Sequence, residues 1–289
     1  MPLKSTLALL LALLAPSAAA TLTVEGMVSP AWVQRAGTQE RVPLEVGMTL
    51  RDRDQVLTGG GSRALLKLAD GSAVKLGENA SLSVDGLADR RSAGARRIVT
   101  ASLDVARGAF RFTTDLFARR VAGRDVKVRI ATVTTGIRGT DIWGKSDGER
   151  DLVCLIEGKI EVTRGTDAPV TLDQPLDFYV APRDGSAPTK AKVDPQQLAR
   201  WGAETELGTA GGATRRGGRF RVEVSASADQ QAALSDYDSA RRAGFPAVIQ
   251  PVKGAGYRVR ILSVPSEKDA QAIVAKLNAA GLAQAAVGK

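Results

Sequence analysis

The 289-residue sequence contains no histidine and a single cysteine, Cys154. The first absence removes the commonest general base and the commonest transition-metal ligand. The second excludes an internal disulfide and any cysteine-cluster metal site. Aromatic residues make up 4% of the chain, and no stretch reaches the roughly 20 consecutive apolar residues that span a bilayer. No nucleophile motif, phosphate loop or metal-ligand spacing occurs, so neither a cofactor nor a metal is expected. Paired carboxylates for glycan hydrolysis would have to come from Asp141, Glu149, Asp151 or Glu157. Such residues are also what β-turns contain, and a non-enzyme is the expected class. Cys154 lies between Val153 and Leu155 and reads as a small buried hydrophobe, the alternative being a reactive thiol.

What is abundant is positive charge. The formal net charge is +9. Residues 88–129 hold eleven Lys or Arg against four Asp, an excess of seven. Two readings stay open. The segment, with Arg90, Arg91, Arg96 and Arg97 at its start, meets an anionic partner such as a lipid headgroup, a lipopolysaccharide or an acidic polymer. Alternatively it is a solvated face with two basic loops.

Residues 1–20 have the features of a secretory signal peptide. Lys4 gives the positive start, Leu7 to Leu14 the apolar core, and Ala18-Ala19-Ala20 the small-residue cleavage site. No Cys follows, so no lipid anchor is expected there. The expected product is periplasmic, starts near Thr21 and has no membrane span. Export also argues against a nucleic-acid partner.

From Thr21 to about residue 180 the sequence is a series of short alternating segments punctuated by glycine. Ala64, Leu66 and Leu68 share one side, as do Leu82 and Val84. Ala69-Asp70-Gly71-Ser72 predicts a tight turn, and 88–97 predicts a loop. Two β-rich arms, Thr132–Trp143 and Asp151–Thr163, flank a polar break at 144–150 and predict a hairpin. Gly158 predicts a turn or bulge in the second arm. Gly136 and Gly139 bracket Ile137-Arg138, where the backbone is expected to take a shape that a Cβ would forbid. Arg138 is read either as a recognition residue or as a partner of Asp141. Such short strands imply an all-β sandwich or roll.

The stretch Gly136-Ile137-Arg138-Gly139-Thr140-Asp141-Ile142, followed by Leu155-Ile156-Glu157-Gly158-Lys159-Ile160, resembles the core motif of FecR-type periplasmic domains. Asp54-Gln55-Val56-Leu57-Thr58-Gly59-Gly60-Gly61-Ser62 and Leu68-Ala69-Asp70-Gly71-Ser72 resemble the family's upstream motif. The resemblance implies a jelly-roll-like sandwich in which Gly136, Arg138, Gly139, Thr140, Glu157 and Gly158 are the motif residues. FecR-type proteins regulate sigma factors across the inner membrane. The sequence holds neither the cytoplasmic arm nor the membrane helix of that role, so a ligand-binding or scaffold module is expected.

Residues 181–218 predict a loop, a short helix opened by Asp194-Pro195 with Leu198, Trp201 and Leu207 as apolar contacts, and a flexible linker at 208–218. Residues 219–289 then predict a small α+β, ferredoxin-like βαββαβ domain. A capping box at Ser227-Ala228-Asp229-Gln230 opens its first helix. Alternation turns Phe220, Val222 and Val224 towards the helices and leaves Arg221, Glu223 and Ser225 on the open face, with Arg258 and Arg260 beside them.

That order, with Phe220-Arg221-Val222-Glu223-Val224 and Tyr257-Arg258-Val259-Arg260-Ile261, resembles the SPOR domain, which binds septal peptidoglycan glycan. Glu223 replaces the family's Gln, and its Gly and aromatic positions are absent here. The expected protein is therefore multi-domain: signal peptide, FecR-like β domain, connector and SPOR-like domain. Its expected partners are peptidoglycan glycan strands and an unidentified envelope protein or anionic ligand. The alternative is a FecR-like envelope signalling protein whose last domain mediates protein interaction.

If residues 1–20 direct export, mass spectrometry of the periplasmic protein will show Thr21 as its first residue. An uncleaved amino terminus at the inner membrane would contradict this.

Overall fold

The computed structural model describes residues 21–91, 97–115, 121–137 and 139–288. The signal-peptide segment, Arg96 and Arg138 lie outside them. The first part of the chain holds β1 (Leu22–Val28), β2 (Ala31–Gln34), β3 (Arg41–Pro43), β4 (Thr49–Leu50), β5 (Gln55–Thr58) and β6 (Arg63–Leu68). Next come β7 (Ala73–Leu76), β8 (Ser81–Arg91), β9 (Arg97–Thr113), β10 (Val121–Ile130), β11 (Val133–Ile137) and β12 (Asp141–Ser146). They are followed by β13 (Arg150–Glu157), β14 (Ile160–Arg164), β15 (Val170–Leu172), β16 (Asp177–Pro182), β17 (Thr189–Lys192), α1 (Pro195–Ala203) and β18 (Ala213–Arg215).

The strands form two layers. One runs β18-β1-β6-β7-β9-β12-β13-β16-β17. The other runs β3-β2-β5-β8-β9-β10-β11-β14-β15. β9 belongs to both, and its side-chain phase shows where it crosses. Ala101, Leu103 and Val105 are buried at odd positions, Phe110 and Phe112 at even ones. The phase flips around Gly108, at φ +89, where a Cβ would sit 2.5 Å from Ala80 Cα. One hydrophobic core lies between the layers and draws on both, from Leu66, Phe110 and Leu155 in the first to Leu82, Leu103 and Val162 in the second. Sequence alternation is therefore the direct cause of this core.

Several expectations are corrected. Residues 88–91 and 97 are not loop, because the β8–β9 ladder runs out to the pair Arg91↔Arg97. Thr189–Lys192 is an edge strand on β16. Leu207 is not a contact of α1; it packs with Val28 and Ala213. The helix does close on the first layer's outer face. Asp194 caps it, accepting from the backbone N–H groups of Gln196 and Gln197, and Trp201 stacks on buried Trp143 with ring centroids 4.8 Å apart. Such a stack adds about 1 kcal/mol beyond the area it buries. Cys154 is fully buried in this second apolar cluster, and burial pushes its thiol up to about 12, so the buried-hydrophobe reading holds.

The last part is β19 (Phe220–Ser227), α2 (Gln230–Arg242), β20 (Ala247–Val252), β21 (Gly256–Val264), α3 (Glu267–Ala279) and β22 (Ala286–Gly288). Its sheet order is β20-β21-β19-β22, all antiparallel. Val222, Val224, Val259 and Ile261 pack under Ala233, Ala240, Ala270, Ile273 and Leu277 of the two helices. Asp229, not Ser227, caps α2, accepting from the N–H groups of Gln231 and Ala232.

The expected flexible linker is ordered at its centre. β18 pairs antiparallel with β1, Ala213 opposite Val28 and Arg215 opposite Gly26. The carboxylate of Asp269, buried in the first turn of α3, accepts from Gly212 N–H and Ala213 N–H, both at 3.2 Å. Arg216 N–H donates to Glu25 O, and Lys276 Nζ donates to Ser29 O at 3.0 Å. Arg241 binds Glu45 at 2.7 Å, and Ala31 N–H donates to Gly244 O. A Cβ at Gly244 would meet Trp32 at 2.6 Å. The small domain is docked through its helices and the strand before it.

Native digestion with trypsin will therefore leave Arg215 and Arg216 uncut, whereas Asp269→Ala, which removes the acceptor for Gly212 and Ala213, will open those sites. Equal cleavage of both proteins at these residues would show that β18 is not held.

Candidate functional site

The FecR-like motif residues are the hinge of one long hairpin. β11–β14 lies in one layer and β12–β13 in the other, so both arms must bend at the same level. The first bends at Gly139, φ +71, and the second at Gly158, φ +95. The two bends touch: a Cβ on Gly158 would lie 2.7 Å from both Gly139 O and Thr140 Cγ2. The two glycine motifs are thus opposite sides of one contact. Thr140 N–H donates to Thr114 Oγ1 and Thr114 N–H to Thr140 O, tying the bend to the end of β9.

Arg138 lies outside the described residues. The described partner of Asp141 is Arg111, whose Nε and Nη2 bind its two oxygens at 2.9 and 2.7 Å. These bonds raise the guanidinium above its ordinary pKa. Arg111 also binds Glu206 at 3.2 Å, and Lys75 binds Glu206 at 2.5 Å. Periodicity could not identify Arg111, because the contact joins strands about 30 residues apart.

The upstream motif is structural in the same way. Asp70 accepts from Ser72 N–H and Ser72 Oγ at the β6–β7 turn. Asp54 accepts from Arg51 N–H and pairs with Arg35 at 2.5 Å. Ser62 Oγ donates to Val28 O at 2.6 Å.

Among the carboxylates considered for catalysis, Asp141 is held by Arg111. Asp151 is fully buried, accepting from Thr132 N–H at 2.9 Å and Thr132 Oγ1 at 2.6 Å while binding Arg183. Glu149 and Glu157 are exposed. A groove of about 830 Å³ is lined by Arg129, Arg164 and Arg183. Each of these already has a carboxylate partner, in Asp104, Asp167 and Asp151 respectively. Among the described residues, no group of three or more Cys, Asp or Glu is placed to hold a metal.

On the small domain's sheet, the structure brings together Glu223, Arg258 and Arg260. Arg260 stands directly across from Glu223 and donates to it at 3.2 Å, while Arg258 lies 3.5 Å from its other oxygen. Gln250, which sequence reading missed, accepts from Arg260 at 3.1 Å. Leu262 continues the alternation of Arg258 and Arg260 and is 39% exposed.

Three expectations change. Ser225 is not on the open face: a bulge between Glu223 and Ser225 puts it opposite Val259, and it is buried. Arg221 stands apart from the Glu223 cluster, packed along Gly288 of β22. Phe220 is 41% exposed and outside the helix-facing core. Of the basic patch, Arg90 and Arg91 end β8 and Arg97 begins β9.

Residues 54–161 match the family described as FecR protein, and residues 217–288 match the SPOR domain. The chain therefore carries a FecR domain followed by a C-terminal SPOR domain. Both are families of non-catalytic binding or regulatory domains. FecR suggests envelope signalling and SPOR suggests peptidoglycan binding. No curated protein matches the chain. Two crystal structures of a candidate anti-sigma factor from Parabacteroides distasonis ATCC 8503 are similar to it. One is 18% identical with a TM-score of 0.40, covering 51% of this chain; this chain spans 63% of that structure's length. The other is 16% identical with a TM-score of 0.39, covering 78% of this chain and 90% of its own. Among the described residues, no helix is long and apolar enough to cross a membrane.

Replacing Gly158 by Ala forces a Cβ into the Gly139–Thr140 bend at a positive φ. The expected loss is about 3 kcal/mol, from left-handed strain and overpacking together. Chemical denaturation will show it as a lowered midpoint, and an unchanged midpoint would mean that the two bends do not bear on each other.

Proposed function

We propose that this chain is a non-catalytic periplasmic binding and scaffold protein, exported through residues 1–20. In this reading the SPOR domain holds peptidoglycan glycan and the FecR domain, a jelly-roll-like sandwich, engages an envelope partner. The observation that carries the reading is the free sheet face of the SPOR domain. Docking to the FecR domain uses α2, α3 and β18, and among the described residues none of these docking contacts falls on Glu223, Arg258, Arg260 or Gln250. Carboxylate, guanidinium and amide groups suit sugar hydroxyls and acetamido carbonyls. Leu262, 39% exposed, supplies apolar surface for a sugar ring. Glu223 holds both arginines and competes with a ligand for their donors, so glycan must displace part of this network.

The FecR match favours a second reading, an envelope signalling protein. In that case the same SPOR face contacts a protein.

The test is co-sedimentation of the chain from Thr21 onward with purified sacculi, before and after an amidase strips the stem peptides. Amidase-dependent binding that falls at least tenfold in Glu223→Ala plus Arg258→Ala, with the circular dichroism spectrum unchanged, is the expected outcome. Failure of the unmutated protein to bind stripped sacculi would favour the signalling reading.

A further inference from the structure

The groove of about 830 Å³ on the FecR domain opens beside the ends of β10, β14 and β16. Arg129 comes from β10, Arg164 from the last position of β14 and Arg183 from just beyond β16. Among the described residues, Asp104 is the one acidic group in the lining. The walls between the charges are small and largely apolar, with Ala106, Ala131 and Pro182 among them.

Partners within the chain hold each guanidinium by part of its donor set. Asp104 takes Nη2 of Arg129. Asp167 takes Nε of Arg164, and Ser186 O takes its Nη1. Asp151 and Ser146 take Nε and Nη2 of Arg183. Among the described residues, this leaves Nε and Nη1 of Arg129, Nη2 of Arg164 and Nη1 of Arg183 without an acceptor. The pairs also differ in how firmly they are held. Asp151 is fully buried and accepts from Thr132 N–H and Thr132 Oγ1 as well, so Arg183 is a fixed anchor. Asp85 stands 3.6 Å from Arg129, and Asp167 stands 2.9 Å from Arg164; both aspartates are 43% exposed. Exposed ion pairs of this kind contribute little, so an incoming carboxylate can take their place.

Unused donors on three side chains call for several anionic groups on one ligand, and the groove is far larger than a single inorganic anion. The planar fork of arginine matches a carboxylate edge-on, and these three arginines already hold aspartates. Small apolar walls suit the methylene stems of acidic side chains, and the lining offers no aromatic platform for a sugar ring. We propose that this groove binds an acidic peptide segment of a partner protein. Its carboxylates replace Asp85 at Arg129 and Asp167 at Arg164, and meet Arg183 as the anchor. The proposal rests on the reading that the FecR domain engages an envelope partner, and names the chemistry of that contact.

The test is fluorescence anisotropy of a labelled hexaglutamate peptide with the chain from Thr21 onward, which contains every described residue. Hexaglutamate will bind, more weakly as salt rises, and hexaglutamine will not. Arg129→Gln plus Arg164→Gln will weaken binding by about tenfold or more, as the loss of charge-assisted hydrogen bonds implies. Arg200→Gln plus Lys253→Gln, which removes the same charge from exposed positions elsewhere, will leave it nearly unchanged. Asp85→Asn plus Asp167→Asn will strengthen binding about threefold, the scale of an exposed ion pair, and misfolding cannot produce such a gain. Glu40→Gln plus Glu267→Gln, exposed and of the same charge change, will not strengthen it. Equal binding of hexaglutamine, equal effects of the groove variants and their controls, or displacement of the peptide by tripolyphosphate at equal charge would overturn the inference. Sedimentation of the same protein with stripped sacculi would then confine the failure to this groove and leave the binding and scaffold reading in place.

Discussion

The FecR domain depends on a contact between two places with no room for a side chain. Gly158 lies against Gly139 and Thr140, and this lets one hairpin leave one β layer at Gly136↔Glu161 and resume pairing in the other at Asp141↔Glu157. Its two halves then contribute Ile142, Val153 and Leu155 from one side of the core and Val133, Ile160 and Val162 from the other. Gly108 serves the same purpose in β9. Both crossings join the layers covalently as well as through apolar contact. A bulky residue at either place would cost more than local strain, because the register of each neighbouring strand follows from the bend.

The polar motif residues support that framework. Asp54, Ser62, Asp70, Asp141 and Asp151 are buried or nearly so, and each has a partner. Buried carboxylates persist only when hydrogen-bonded or paired, so these positions read as architecture. Asp177 follows the same rule: burial pushes it up, but hydrogen bonds from Lys192, Gln174 N–H, Lys190 and Asp173 N–H outweigh burial and hold it well below the usual carboxylate range. Unlike these, Glu223, Arg258 and Arg260 lie on the sheet face away from the small domain's helices.

The docking of the SPOR domain couples the two halves mechanically. β18 extends the first layer as an added strand, and Asp269 fixes the main chain at Gly212 and Ala213 as it enters that strand. Backbone pairing with a buried acceptor at its end gives a stiffer joint than side-chain contacts alone. The sheet face opposite the helices is thereby held at a set orientation to the FecR domain, a useful property if one end contacts wall and the other a partner.

Much of this was legible in order. The alternation of Ala64, Leu66 and Leu68, the turn at Asp70-Gly71, the cap at Asp194 and the βαββαβ order of the last domain follow from local rules of period and turn chemistry, and local rules are written in neighbouring residues. What the tertiary structure decided was everything that depends on residues far apart. Glycine composition alone cannot show that Gly139 and Gly158 bear on each other, that Asp141 is held by Arg111, or that the glycine-rich linker holds a strand against β1. A single bulge between Glu223 and Ser225 turned an expected surface residue inward, since one extra residue shifts every later side chain to the other face. Parallel pairing set Arg124 opposite Val99 of β9. The sequence determined which segments become strands and which sides are apolar; only packing decided which segments meet, because pairing energy comes from partners the local chain does not contain.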